Sequence, residues 1–491
     1  METPPPMMWS QLIRLSGEDG KPLQWQIRQA IVSAISERLL PPGTRLPSSR
    51  DLATILSVAR NTVVLAYQQL VDEGILAAQE RSGHYVAERS AAVGSARPEM
   101  FADRTGPDWD GRMRQRPSLD RNIIKPADWQ SRPYPFVYGQ PDAALFPVND
   151  WRECVRAALG ALEIRDWSRD LIDGDDPLLI AEIRKRVLPL RGVWATEDEV
   201  MVTLGAQQAL FLLANLLIDG TTRVGIEDPG YPDARNIFRS RGAALSLLPL
   251  DAQGLQVTPT AGACDILYVT PSHQCPTTVT MPMERRQALL ALAEAQDSLL
   301  IEDDYEIETP PGRTPLPALK SLDRSGRVLY VGSLSKTLAP GLRLGFLVAP
   351  APVIREMRAL RRLMLRHPPA NNQRAAALFI SLGHYEAHLK RLARAMHERE
   401  ALVETALTRE LPAMRWRPAP GTTSVWAEAP GRDTRDLAIR ALAAGVVIEP
   451  GDVFFGGEEP PHSYFRLGFS SIPAARIDKG IAALAKAVEA E

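Results

Sequence analysis

Little in this 491-residue chain points to the extracellular space, to a bound metal or to a membrane. It has three cysteines, Cys154, Cys264 and Cys275, an odd number, widely spaced and without a C-x-x-C pair. Neither a disulfide framework nor a zinc site is suggested, and a reducing cytoplasm is the expected compartment. The longest apolar run, around Ala209–Ile218, is too short to span a bilayer. Met1 to Ser10 lacks the basic start and apolar run of a signal peptide. There is no excess of positive charge either: 57 Lys and Arg stand against 59 Asp and Glu, a net charge of -2. That balance argues against wholesale coating of nucleic acid, although one locally basic face would be enough to bind it. Arginine far outnumbers lysine, so a lysine inside a Gly/Ser/Pro-rich motif stands out. The length predicts more than one domain and a large buried core.

What is present begins with a helical pattern. Leu23, Ile27, Ile31, Ile35 and Leu39 recur every four residues and define one apolar face over 22–39. Pro41-Pro42-Gly43 stops that helix. Ser48 followed by Asp51 resembles a capping box and opens a second, short helix with Leu52, Ala53 and Leu56 inward. After a turn at Ser57–Ala59 a third helix starts near Arg60, with Val63, Tyr67, Leu70 and Val71 inward and Gly74 as its stop. Ile75–Ala78 and His84–Val86 read as two short strands around Arg81-Ser82-Gly83. Three helices and a two-stranded wing make a winged helix-turn-helix, in which the third helix enters the major groove by its N-terminal end. Arg60, Asn61 and Thr62 stand there, with side chains suited to base edges and phosphates. Arg45 and Arg50 fall where phosphate contacts are usual, and Gly83 lets the wing backbone approach a duplex. A plain three-helix packing unit with exposed arginines has the same periodicity.

Residues 10–88 are therefore read as one domain. The stretch 89–133 has no clear period and is rich in charge, and reads as a linker or as an irregular surface extension of either neighbour. From 134 to 491, strand-like runs alternate with helical ones. Glu199–Thr203, Arg223–Glu227, Asp265–Thr270, Ser298–Glu302, Val328–Gly332 and Leu344–Val348 read as strands, several ending in Gly, Pro, Asp or Ser. That pattern predicts an open, mostly parallel α/β sheet with its site at the strands' C-terminal ends. A smaller α/β lobe is expected near 411–470.

Polar motifs follow those strands in a telling order. Ser333-Leu334-Ser335-Lys336, continuing through Pro340-Gly341-Leu342-Arg343-Leu344-Gly345, reads as the lysine site of a pyridoxal 5'-phosphate (PLP) protein. A cofactor aldehyde needs an amine, here Lys336, and its phosphate needs hydroxyls and a fixed cation, here Ser333, Ser335 and Arg343. Gly205-Ala206-Gln207-Gln208 opens a helix whose amides suit the same phosphate. Tyr231, in Asp228-Pro229-Gly230-Tyr231-Pro232, can stack on the pyridine ring. Asp303 would keep the ring nitrogen protonated, and Tyr305 would hydrogen-bond the phenolic oxygen. Taken singly, Tyr231 reads as ordinary packing and Asp303 as a solvated strand end; the shared order carries the assignment.

The wording of these segments goes further. Pro41-Pro42-Gly43-Thr44-Arg45-Leu46-Pro47-Ser48-Ser49-Arg50-Asp51-Leu52-Ala53 and Arg60-Asn61-Thr62-Val63-Val64 resemble the GntR family of winged helices, in which the arginines matching Arg50 and Arg60 touch DNA. Ala59 departs from that pattern, where a Ser often caps the recognition helix. Thr270-Pro271-Ser272-His273-Gln274, Glu302-Asp303-Asp304-Tyr305 and Ser333–Arg343 resemble the MocR, or GabR-like, family, which fuses a GntR winged helix to a fold-type I, aspartate aminotransferase-like domain. The resemblance covers nearly the whole chain except the linker and the extreme termini. It implies an aldimine at Lys336, Asp303 as the pyridinium partner, and Arg466, in Phe465-Arg466-Leu467-Gly468-Phe469, as the group that binds a ligand carboxylate. It also implies a homodimer that binds an operator in double-stranded DNA and senses PLP or a small amine or amino acid. Cys275, Thr278 and Ile180 depart from the family, the first two beside the cofactor loop, which bears on ligand selectivity. A metabolic aminotransferase with an accessory DNA-binding head is the rival reading, and weak transaminase activity is compatible with both.

Overall fold

The computed structural model describes the chain apart from residues 1–8, 11, 14, 16–21, 38, 80–82, 88–106, 307–314, 418–419 and 491. The chain forms two compact units, Met1–Arg114 and Gln115–Glu491.

In the first unit, α1 (Leu23–Ser36) buries Ile27, Ile31 and Ala34. Leu23 and Leu39, expected on the same face, are 42% and 52% exposed. The reason is local: Leu23 is the first residue of the helix, and Leu39 lies in the turn beyond its end. α2 (Ser49–Leu56) is capped by Ser48, whose Oγ accepts from the Asp51 amide at 3.2 Å while its hydroxyl donates to Asp51 Oδ2 at 2.7 Å. α3 (Arg60–Asp72) buries Val63, Ala66, Tyr67 and Leu70, and the Tyr67 hydroxyl donates to the Pro47 carbonyl at 3.0 Å. Gly74 follows α3 at φ +70°, in the left-handed region that a helix stop favours. β1 (Leu76–Gln79) and β2 (Gly83–Val86) pair antiparallel, with Leu76 opposite Val86. Arg81 and Ser82, expected at the wing tip, lie outside the described residues. Trp9 and Ile13 are buried in this core as well, although nothing in the helical period singled them out.

The second unit is built on an eight-stranded sheet. Its strands are β3 (Val200–Thr203), β4 (Arg223–Asp228), β5 (Ala244–Asp251), β6 (Gly254–Leu255), β7 (Ile266–Val269), β8 (Leu299–Asp304), β9 (Val328–Ser333) and β10 (Gly345–Val348). Their order is β3-β10-β9-β8-β7-β4-β5-β6. Strands β5, β4, β7, β8 and β9 run parallel to one another, and β10 runs antiparallel to both β9 and β3. β3, β7, β9 and β10 are buried at every residue, the pattern of a sheet covered on both faces. All six expected strands are present. β5 and β6 were not among the expected strands. β5 carries Pro249 near the sheet's margin, where its outer neighbour β6 is two residues long.

A second, antiparallel sheet forms the smaller lobe from β11 (Arg415–Trp416), β12 (Ser424–Glu428), β13 (Glu449–Pro450) and β14 (Tyr464–Gly468), in the order β11-β12-β14-β13. Its core includes Val425, Phe465 and Leu467 with Val403 and Leu407 of the long helix His384–Glu410 and Ile477, Ile481 and Leu484 of the helix Ala474–Glu489.

The stretch expected as a linker divides in three. Residues 89–106 lie outside the described residues, 107–114 fall in the first unit, and 115–133 belong to the large unit. Gln115 Nε2 donates to the Ser240 carbonyl at 2.9 Å, and Lys125 Nζ donates to the Tyr138 carbonyl at 2.7 Å. Anchors of this kind are single polar contacts to other segments, and they leave no period in the sequence.

Candidate functional site

Strand β8 ends in three consecutive acids, and the pleat sorts them. Glu302 and Asp304 share one face, and Asp303 faces the other. Glu302 accepts from the Leu319 and Lys320 amides, both at 2.8 Å. Asp304 accepts from Arg191 Nε and from the Tyr330 hydroxyl, each at 2.7 Å. Asp303 instead borders a cavity of about 350 Å³. Its Oδ2 accepts from the Tyr268 hydroxyl at 2.8 Å, while its Oδ1 is buried without a hydrogen-bond partner. Burial pushes the Asp303 carboxyl up to about 7, against the opposing pull of the Tyr268 hydrogen bond.

Every residue expected at the cofactor lines this one cavity, namely Ala206, Gln207, Tyr231, Asp303, Tyr305, Ser333, Ser335, Lys336 and Arg343, and so does Arg466, expected at a ligand's acid group. Lys336 lies just past β9, with its Nζ 4.8 Å from the centre of the Tyr138 ring. Burial above all, then the nearby Lys125 and Arg466 charges, lowers its amine to about 8. A Cβ at Gly139 would collide with Lys336 Nζ, so glycine there keeps the amine's space open. Gly205, at φ +82°, caps the helix α4 (Ala206–Leu217), and a Cβ there would lie 3.3 Å from Arg343 Nη2. Arg343 itself sits in the left-handed region at φ 51° and donates from Nη2 to the Leu204 carbonyl at 2.8 Å. A helix N-terminus and a guanidinium thus converge at one end of the cavity.

Two hydroxyls are engaged differently from the simplest expectation. Tyr305 donates to the His273 carbonyl at 2.7 Å, so its proton is directed away from the place expected for a phenolic oxygen. Ser335 donates to the Leu344 carbonyl at 3.0 Å and accepts from the Leu344 amide at 2.9 Å, which ties the lysine loop to the start of β10. Ser333 faces the cavity. Asp233 collects the Tyr231 hydroxyl at 3.0 Å, Gln207 Nε2 at 3.1 Å and Asn122 Nδ2, and so holds the tyrosine and the helix start in register. Asp233, Asn122, Lys125, Tyr138 and Tyr268 were not singled out from the sequence. Among them, Tyr138 alone carries a local signal: it closes the aromatic run Tyr134-Pro135-Phe136-Val137-Tyr138 directly before Gly139. Of the family departures, Cys275 lines the cavity with its Sγ 3.9 Å from Arg466 Nη1, and burial pushes its thiol up to about 12. Thr278 is buried at φ +64°, and Ile180 is buried in the helix Pro177–Glu182.

In the first unit, Arg45, Arg50, Arg60, Asn61 and Gly83 are exposed and Thr62 is half-buried. Arg60 and Asn61 occupy the first two positions of α3, whose cap residue Ala59 makes no side-chain hydrogen bond. Arg60 Nε lies 3.5 Å from Ser49 Oγ. Arg45 forms a bridge with Tyr85, and its Nε is 3.7 Å from where a Gly83 Cβ would stand. The start of the recognition helix thus presents polar side chains to solvent, and Arg45 does the same close to the wing glycine.

Among the described residues no group of acids, cysteines and histidines is placed to hold a metal ion, and no helix is long and apolar enough to cross a membrane.

The fold and cavity define an aminotransferase domain. The family model "Aminotransferase class I and II" matches residues 172–484, and "Bacterial regulatory proteins, gntR family" matches 23–86. The chain is 44% identical over 467 residues to the HTH-type transcriptional regulator TauR of Rhodobacter capsulatus, covering 95% of this chain and 96% of that one. It is 33% identical to the probable rhizopine catabolism regulatory protein MocR of Rhizobium meliloti, over 79% of this chain and 78% of the other. Among solved structures, the α-aminoadipate aminotransferase LysN of Thermus thermophilus, complexed with N-(5'-phosphopyridoxyl)-L-leucine, is 28% identical with a TM-score of 0.67, covering 72% of this chain and 91% of that one. The chain belongs to the MocR-type, TauR-like family of HTH-type transcriptional regulators, which join a GntR winged helix to an aminotransferase class I and II domain.

Pyridoxal phosphate is the cofactor of this domain, and the residues present fit it. The unpartnered Asp303 Oδ1 matches a protonated ring nitrogen, and the end bounded by Arg343 and the start of α4 matches a phosphate.

Proposed function

We propose that this chain is a transcriptional regulator that binds an operator through Arg45, Arg50, Arg60, Asn61, Thr62 and Gly83. Its aminotransferase-like domain holds pyridoxal phosphate on Lys336 and reads PLP itself or a small amino compound there. The observation that carries the reading is the combination in one chain of a recognition helix that opens on the exposed Arg60, with Arg45 and Arg50 exposed in the same unit, and a cavity in which Lys336, Asp303 and Arg343 meet. The cofactor, when bound, supplies an aldehyde that exchanges amines and a ring that withdraws electrons. The protein's part is to present Lys336 as a neutral amine near pH 8, to hold a carboxylate at the ring nitrogen, and to offer Arg466 to an acid group. Tyr231 and Tyr305 wall the ring's place, and Asp233 keeps Tyr231 from turning away. A homodimer in the cytoplasm is the expected working form.

The rival, a metabolic aminotransferase with an accessory head, draws on the same cavity but leaves Arg50 and Arg60 without a task. Operator binding by wild type, Arg60→Ala, Arg50→Ala and Lys336→Ala proteins, with and without PLP and amines, separates the two. Arg60→Ala should cost roughly 1–3 kcal/mol and relax specificity at one base pair. Arg50→Ala should weaken all sites alike and lower the salt dependence. Lys336→Ala should bind DNA while losing its response to PLP. Rapid multiple turnover together with DNA binding indifferent to PLP and amines would instead establish the enzyme.

A further inference from the structure

Arg466, the cation expected to meet a ligand's acid group, already has an ionic partner inside the protein. Its Nε and Nη2 each lie 2.7 Å from Glu449 Oε2, and both side chains are almost wholly buried. The rings of Tyr138 and Phe454 stand 4.1 and 4.7 Å from the guanidinium carbon. Carboxylate and rings together fix the orientation of the group, leaving Nη1 and the outer edge of Nη2 for anything in the cavity. Glu449 also has a second cation beside it, Lys125, with Nζ 3.6 Å from Glu449 Oε1. That oxygen is buried and has no hydrogen-bond partner. Lys125 and Arg466 line the cavity.

The charges can be counted. At the two polar ends of a bound cofactor, Asp303 would face the ring nitrogen and Arg343 the phosphate. What remains around the ligand's place is Arg466 and Lys125 against Glu449, whereas Glu306, also buried, does not line this cavity and accepts from the Thr423 hydroxyl. Cys275, Tyr138 and Tyr305 are pushed up by burial and stay neutral. Two cations and one acid leave a single surplus positive charge. An amino compound with one acid group brings one negative charge, which that surplus matches. A second acid group would enter a buried place with no counter-charge, which is costly.

We propose that Glu449 is a specificity-determining residue: by neutralising one of the two cations that face the ligand, it restricts this cavity to amino compounds bearing a single acid group. The inference rests on the reading of the cavity as an amine-sensing site. Glu449 does its work through Arg466 and Lys125, as a positioning residue and an internal counter-ion.

The test uses full-length, PLP-loaded wild type and Glu449→Gln protein, titrated with 4-aminobutanoate and L-alanine, one acid group each, and with L-aspartate and L-glutamate, two each. Cofactor absorbance and the shift of the thermal unfolding midpoint are the two readouts. Wild type should respond to the one-acid compounds at lower concentration. In Glu449→Gln the ratio of two-acid to one-acid affinity should rise on the order of tenfold, the scale of one unit charge several ångströms away in a partly screened site. Lys125→Met, which removes a cation beside Glu449 while keeping the Glu449–Arg466 pair, should move that ratio the other way and serves if Glu449→Gln fails to fold. A wild type that responds to both classes alike, or a ratio unmoved in the folded variants, would overturn the inference while leaving the amine-sensing reading in place. No response of wild type to any of the four compounds would count against the amine-sensing reading and so against the inference resting on it.

Discussion

Lys336 is a lysine whose surroundings work against its charge. Burial is the largest influence, followed by Lys125 and Arg466, and together they bring the amine to about 8. The neutral amine is the nucleophile, so capture of PLP by the apoprotein should accelerate as pH rises toward 8 and level off above it. Lys125→Met removes a cation that disfavours protonation of Lys336. Its folded pKa should then rise, and the capture profile should move to higher pH. Stopped-flow absorbance after mixing apoprotein with PLP, from about pH 6.5 to about 9.5, measures both curves. Superimposable profiles would show that Lys125 does not act on Lys336. Ser333, Ser335, Lys336 and Arg343 were legible in the sequence because they crowd into one short polar segment after an apolar strand. Lys125 and Glu449 were not, because each reaches the site from a distant segment whose local pattern has no reason to announce it, and Asp233, beside Tyr231, shows its part only through the hydrogen bonds it collects. Glu449 in particular sits in a two-residue strand pairing with β14, where a carboxylate gains meaning through Arg466 on the partner strand.

Among the elements, the two short helices that present the arginines differ in how they begin. Ser48 caps α2 with its side chain, whereas Ala59 opens α3 with backbone in the extended region and no side-chain bond to the first amides. Its φ of -65° and ψ of 138° already suit a capping hydroxyl. Ala59→Ser should therefore stabilise α3 by roughly 0.5–1 kcal/mol, about what the reverse change costs in other helices. Slower hydrogen exchange over residues 60–72, with no change over 49–56, would show it; unchanged exchange in α3 would mean that a polar neighbour or water already serves those amides. The helices themselves were legible from their four-residue spacing, which located Ile27, Ile31, Val63, Tyr67 and Leu70 in the core. Their ends were less so: Leu23 and Leu39 carry the same period but fall where the helix begins and after it has ended. In the sheet, strands buried on both faces read clearly as apolar runs, while β5, with only Leu248 buried, and the two-residue β6 did not stand out.

For the molecule as a whole, order along the chain carried most of the architecture: a helical DNA-binding period first, then strands ending in polar motifs. What it could not carry was where the second unit starts, since the contacts that draw 115–133 onto that unit are isolated hydrogen bonds. A regulator made of two units must transmit ligand binding in one to DNA affinity in the other, and such coupling is reciprocal by thermodynamic necessity. If an amino compound changes operator affinity by some factor, the operator must change the affinity for that compound by the same factor. A coupling of about 1–3 kcal/mol, roughly 5- to 150-fold, is the usual range for switches of this kind. The measurement uses PLP-loaded protein, an operator duplex selected with that protein, and the one-acid amine giving the largest absorbance response. Operator affinity is read by anisotropy with and without the amine, and amine affinity by absorbance with and without saturating operator. Equal factors from the two titrations are expected, and in wild type alone: Lys336→Ala should bind operator with a single affinity whatever the amine concentration. An amine that binds the wild-type cavity yet leaves operator affinity unchanged would mean that the two units do not communicate, and the aminotransferase domain would then have to be explained by chemistry of its own.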